Sequence, residues 1–177
     1  DTVSVIDTTT RTVVATVSVG TDPAALAVSP DGATVYVANN GSADIAVIDA
    51  ATNTVTATVP VGPNPLGMAV TPDGALLYVA TAGDNSVVVL DTATMAAVGT
   101  VAVGADPGMV AISPDGVTAY VVNSGDDTIS VVRMIAPAPP ARARPSRRTP
   151  ATARPLVEDH EASPPPRTRP SSRSATS

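Results

Sequence analysis

The chain has 177 residues, a formal net charge of −6, no Cys and one His (His160), which excludes disulfide frameworks, thiolate metal sites and cysteine nucleophiles. The charge is split: residues 1–132 hold thirteen Asp, one Arg and no Glu or Lys (net −12), whereas residues 133–177 hold nine Arg against Glu158, Asp159 and Glu161 (net +6). An acidic body disfavours nucleic acid and anionic membrane as specific partners of that part, and no apolar run is long enough for a membrane span.

From the N-terminus, Asp1–Asp7 is a β-branched run closed by a turn residue, a strand signal. A polar turn over 8–12 and a second strand ending at Gly20 follow. In the second copy of that strand Val55, Ala57, Val59 and Val61 alternate with Thr54, Thr56, Thr58 and Pro60, as in a strand with one buried and one wet face. Asp22-Pro23 opens a small apolar strand, Ala25–Val28, expected to be fully buried. Ser29-Pro30-Asp31-Gly32 then forms a tight turn, in which Pro presets φ and Gly accepts positive φ. A strand containing Tyr36 completes the unit.

The whole unit recurs. Pro30, Pro72 and Pro114 are spaced by 42 residues, and the Pro-Asp-Gly turn recurs at Asp31-Gly32, Asp73-Gly74 and Asp115-Gly116. Four short antiparallel strands in roughly 40–45 residues is the period of a propeller blade. The fold expected is all-β: an incomplete β-propeller of about three blades over 1–132. Two strands at 1–20 belong to a preceding blade, and blades follow at about 22–62, 64–104 and 106–132. Propellers close with about 4–8 blades, so both ends are expected to be open, which allows edge-to-edge self-association. Tyr36, Tyr78 and Tyr120 are read as core packing.

At Arg133 the pattern breaks, since Asp7, Asp49 and Asp91 hold this place in earlier copies. Residues 133–177, rich in Pro and Arg, cannot build a core and are expected to be a disordered tail. It is either a basic linker or the product of a frameshift. The chain starts at Asp1 inside a unit, without an initiator Met, and is expected to be a fragment or processed product.

Tyr36-Val37-Ala38-Asn39 and Tyr120-Val121-Val122-Asn123, with Asp44-Ile45-Ala46-Val47-Ile48-Asp49 and the Val-Gly closing strand, resemble the YVTN-type β-propeller repeats; Thr81 departs from the motif in the second copy. The resemblance covers 1–132. It implies a bacterial or archaeal surface protein placed in the extracellular space, on the cell surface or in the periplasm, architecturally related to lactonase and to haem- or quinone-bearing propellers.

The residue inventory restricts chemistry. Within 1–132 there is no His, Cys, Glu, Lys, Trp or Phe. A Ser–His–Asp triad, a zinc site with nitrogen or sulfur ligands, haem ligation, a tryptophan-derived quinone and Lys Schiff-base chemistry all lack their side chains. No catalytic residue and no cofactor is expected from these units. Asp7, Asp49, Asp91, Asp31, Asp73 and Asp115 recur in every unit and are read as turn acceptors.

The remaining polar groups fall in two loop families placed at one end of the propeller by the strand order. Oxygen ligands without His suit Ca²⁺, so Asp44, Asp84, Asp126 and Asp127 are the metal candidates, although no spacing forms a Ca²⁺ loop. Asp22, Asn40, Asn64, Asn85 and Asp106 are candidates for a binding face. Asn40-Gly41-Ser42 also fits the N-glycosylation pattern.

The leading functional expectation is a non-catalytic scaffold that binds a protein or glycan. The alternatives are a fragment of a lactonase-like or redox propeller enzyme whose active residues lie in other blades, and a truncated product without independent function.

Overall fold

The computed structural model describes residues 1–133; the expectations for the tail beyond Arg133 lie outside them. Thirteen strands form four antiparallel sheets. The first sheet has two strands, β1 (Thr2–Asp7) and β2 (Thr12–Ser18). The first full blade has β3 (Pro23–Val28), β4 (Thr34–Asn39), β5 (Asp44–Asp49) and β6 (Thr54–Pro60). The second has β7 (Pro65–Val70), β8 (Leu76–Thr81), β9 (Ser86–Asp91) and β10 (Ala97–Ala102), with a 3₁₀ turn at Ala82–Asp84. The last has three strands, β11 (Pro107–Ile112), β12 (Thr118–Asn123) and β13 (Thr128–Arg133). Each sheet runs in sequence order, as a propeller blade does.

Turn chemistry sets the hairpins. In each unit Gly32, Gly74 or Gly116 sits at φ of +73°, +76° or +72°, and its N–H donates to the carbonyl of Ser29, Thr71 or Ser113 at 2.8 Å. A side chain with a Cβ adopts this backbone at a cost. Each inner hairpin carries a bulge at the start of its first strand: between Pro23 and Ala25, Pro65 and Met68, and Pro107 and Met109. Such bulges add twist where strands crowd an axis.

The core lies between blades. Alternate residues of β5 face opposite neighbours, as strand geometry requires. Ile45 and Val47, with Tyr36 and Ala38, pack against Met68, Leu77, Val79, Val88 and Leu90 of the second blade. Ala46 and Ile48, with Val37, pack toward Val3, Val5 and Val17 of the first sheet. The second blade repeats this arrangement, using Tyr78, Val87 and Val89 against Ala119 and Val121 of the last.

Two expectations fail at the open boundaries. Tyr120 is exposed, not core, because no blade in the described residues covers the far face of the last sheet. The small apolar strand is not fully buried either: Leu26, Val28 and Met109 are exposed. The most buried strands are β4, β5, β8 and β9, which have neighbours on both sides. Inner strands line the axis, and here the axis is open.

Candidate functional site

Three surfaces are candidates: the axis, the loop rim and the turn end. The axial cavity, about 350 Å³, is lined by Leu26, Leu66, Met68, Met109 and Val110 with small residues between them. It offers no titratable side chain. Gly67 is among its lining residues, and a Cβ there would lie 2.5 Å from the Gly108 carbonyl oxygen and 2.7 Å from the Met109 Cα.

The rim brings the two loop families together in every unit. The Asn40 and Gly41 N–H groups donate to the Asp22 and Thr21 carbonyls, Ala82 and Gly83 donate to Asn64 and Pro63, and Ser124 and Gly125 donate to Asp106 and Ala105. Several rim side chains also stitch these loops together. Ser42 Oγ accepts the Thr21 N–H at 3.1 Å, and Asp126 Oδ2 accepts the Ala105 N–H at 2.6 Å. Asp84 holds the same position, but its counterpart donor is Pro63, which has no N–H. A second stitch comes from residues one position later. Asp1 Oδ1 accepts the Asp22 N–H and Asn85 Oδ1 accepts the Asp106 N–H, both at 2.9 Å. In the first full blade Ala43 occupies this place at φ +58° and offers Asn64 no acceptor.

The four Ca²⁺ candidates have separate surroundings. Among the described residues no three acids come together as a metal cluster. Asp44 instead accepts from Asn39 Nδ2 at 2.7 Å, Asp126 caps a neighbouring loop, Asp84 lies beside Gly62, and Asp127 is exposed at φ +54°. The repeat distributes these acids over different blades, one or two apiece. Of the binding-face candidates, Asn85 serves as a stitch and Asp106 accepts from Ser124 Oγ at 3.1 Å. Asp22 and Asn64 are exposed and Asn40 half-buried, and no hydrogen bond engages their side chains among the described residues. All of these groups lie on the same end of the blades.

Sequence reasoning missed the amides behind the rim. Asn39 and Asn123 are fully buried. Asn123 Nδ2 donates to Thr128 Oγ1 at 3.0 Å and to Ser130 Oγ at 2.9 Å, and the Oδ1 of both amides has no partner among the described residues. Thr81 replaces them in the middle unit and pairs its hydroxyl with Ser86 Oγ at 2.8 Å. The signal was the Asn-to-Thr departure itself, which travels with Ser at position 86.

At the opposite end the repeated carboxylates cap turns. Asp7 Oδ1 accepts from Thr9 and Thr10 N–H, Asp49 from Thr52 N–H and hydroxyl, and Asp91 from Thr94 N–H and hydroxyl. These bonds hold all three below the ordinary aspartate range. Asp31, Asp73 and Asp115 each accept from the hydroxyl of Ser29, Thr71 or Ser113 at 2.5 Å and from an N–H of the following turn, and are likewise lowered.

Comparison with known proteins fits this frame. The description "Lactonase, 7-bladed beta-propeller" matches residues 2–96. The chain belongs to the lactonase family of seven-bladed propellers. Among solved structures, this lactonase-family chain is 39% identical to hydrazine synthase from Kuenenia stuttgartiensis, with TM-score 0.63, over 66% of this chain and 34% of that one. A functionally unknown protein from Desulfotomaculum acetoxidans DSM 771 shares the fold at 20% identity and TM-score 0.63, over 75% of this chain and 48% of that one. A candidate 6-phosphogluconolactonase from Bacteroides uniformis ATCC 8492 does so at 20% identity and TM-score 0.63, over 68% and 39%. The lactonase-family chain thus spans a third to a half of the length of these structures. No curated protein matches it.

Proposed function

We propose that the chain is a non-catalytic scaffold of YVTN-type repeats, exported or held at a cell surface, that presents its loop rim to a protein or glycan. One observation carries this reading. The polar groups of the repeats are largely spent on turns and stitches, and no His, Glu, Lys or Cys stands among residues 1–132 to do proton transfer or nucleophilic work. What is left for recognition is the side chains of Asp22, Asn40, Asn64, Asp84 and Asp127, displayed on a rigid frame, where loops serve binding best.

Family membership favours a second reading, in which these blades are the inert part of a longer lactonase-like enzyme. Immobilised chain probed with bacterial surface glycans and extracellular proteins separates the two. The scaffold reading expects a saturable partner whose binding is lost in the double variant Asn40→Ala, Asn64→Ala. Binding that is indifferent to the rim, or turnover of a lactone by the chain itself, would overturn it.

A further inference from the structure

The rim loop that joins β4 to β5 carries a motif that neither its turn nor its stitch requires. Asn40-Gly41-Ser42 is an Asn-x-Ser tripeptide, and of the six Asn in the chain no other has Ser or Thr two residues on. Its equivalents in the next two units are Ala82-Gly83-Asp84 and Ser124-Gly125-Asp126. Close packing fixes the middle Gly. A Cβ would lie 3.2 Å from the Thr21 carbonyl oxygen at Gly41, 2.8 Å from Pro63 Cγ at Gly83 and 3.0 Å from Ala105 Cβ at Gly125. The outer two positions are not fixed in this way. Ala82 and Ser124 make the same turn as Asn40, each donating its N–H to a carbonyl of the facing loop. Asp126 makes the same stitch as Ser42. The motif therefore arises from two departures at places where the fold accepts other side chains.

The same three residues are presented to solvent. Gly41 and Ser42 are exposed and Asn40 is half-buried. Among the described residues, the buried side-chain polar atoms without a partner are the Oδ1 atoms of Asn39 and Asn123. The Asn40 amide has no partner there either, so it is open to solvent. Asn39, one residue earlier, is fully buried and donates its Nδ2 to Asp44. Ser42 Oγ accepts the Thr21 N–H at 3.1 Å, which leaves its hydroxyl proton without an acceptor among the described residues. Backbone bonds hold the loop: the Asn40 N–H reaches the Asp22 carbonyl at 2.8 Å and the Gly41 N–H reaches the Thr21 carbonyl at 3.0 Å. A group added to Asn40 Nδ2 breaks none of these contacts.

We propose that Asn40 is an attachment site for an N-linked glycan. The donor is a glycan carried on a lipid pyrophosphate and transferred by an enzyme that reads the Asn-x-Ser tripeptide. Asn40 Nδ2 attacks the anomeric carbon of the sugar. The N–C bond forms, the C–O bond to pyrophosphate breaks, the pyrophosphate leaves with its electron pair, and Nδ2 releases one proton. The exposed Ser42 hydroxyl supplies the second recognition element without giving up its stitch. The product is a bulky, solubilising group on the rim of one blade, beside the Asp22 loop, and the other two units lack an equivalent acceptor. This inference rests on the export of the chain in the proposed function and is independent of what the rim recognises.

The test is the intact mass of the full chain, secreted behind a leader peptide by a host that transfers N-glycans. The secreted chain should carry a glycan that an N-glycan amidase removes, and removal in ¹⁸O-water should leave ¹⁸O-labelled aspartate at position 40. The same chain made without the leader should carry none. Asn40→Gln removes only the acceptor and should abolish the added mass while melting with the unmodified chain. Ser42→Ala should abolish it as well, whereas Ser42→Thr keeps the hydroxyl and should retain it. A secreted chain of unmodified mass, a glycan that persists in Asn40→Gln, or unlabelled aspartate at position 40 would each overturn the site. A secreted, unmodified chain that still binds a partner at its rim overturns this site alone, and a chain glycosylated at Asn40 that binds no partner overturns the rim reading alone.

Discussion

At the scale of single residues, the chain uses Asp as an acceptor far more than as a charge. Six aspartates at the turn end are lowered in pKa by turn hydrogen bonds. A folded-state pKa below the unfolded value stabilises the fold above the ordinary aspartate range, about 3.9, and that contribution is lost as pH falls through the depressed values. Melting temperature should therefore hold steady from neutral pH to about 5 and drop between about pH 4 and 2. A melting temperature insensitive to pH over that lower interval would show that the turn bonds contribute nothing. A gain is also available at Ala43, which stands in the left-handed region at φ +58° where Asn85 stands in the next unit. Ala43→Asn suits that backbone and supplies the acceptor that Asn85 gives to Asp106. It should raise stability by about 1 kcal/mol in urea denaturation; a loss would mean the Asn64 N–H is already satisfied by solvent.

At the scale of elements, equivalent side chains diverge only through their neighbours. Tyr36, Ala38, Ile45 and Val47, and their copies Tyr78, Ala80, Val87 and Val89, are 0–7% exposed. The third copies, Tyr120, Val122, Ile129 and Val131, are 42–63% exposed. Ile45→Ala should cost about 2–5 kcal/mol, since it empties space between two blades. Ile129→Ala should change stability by about 0.5 kcal/mol or less. Equal losses in chemical denaturation would mean that the far face of the last sheet is covered in solution. The strand pattern itself was legible from sequence: the 42-residue period, the Pro-Asp-Gly turns and the alternation in the outer strands name the same elements that the sheets contain. The exposure of Leu26, Met109 and Tyr120 was not, because it depends on which neighbours are present and not on the residues themselves. The rim stitches were hidden for a related reason. They pair residues 21 apart, between loops that no local pattern connects.

At the scale of the molecule, two full blades and two partial sheets make an arc, and every interior junction is apolar while both ends of the blades are acidic. This division explains how a chain of the lactonase family can keep the propeller frame without the side chains of a hydrolase in residues 1–132. The acids that repetition made conspicuous turn out to be fasteners, and the proposed function assigns recognition to the groups left unfastened. In the proposed function these blades bind and do not catalyse. It is tested most directly by following hydrolysis of 6-phosphogluconolactone by NMR, with purified, folded chain at high concentration. The account predicts a rate equal to that of buffer alone. A faster rate that disappears when a single aspartate of the repeats is changed to Asn, with the fold intact, would contradict it.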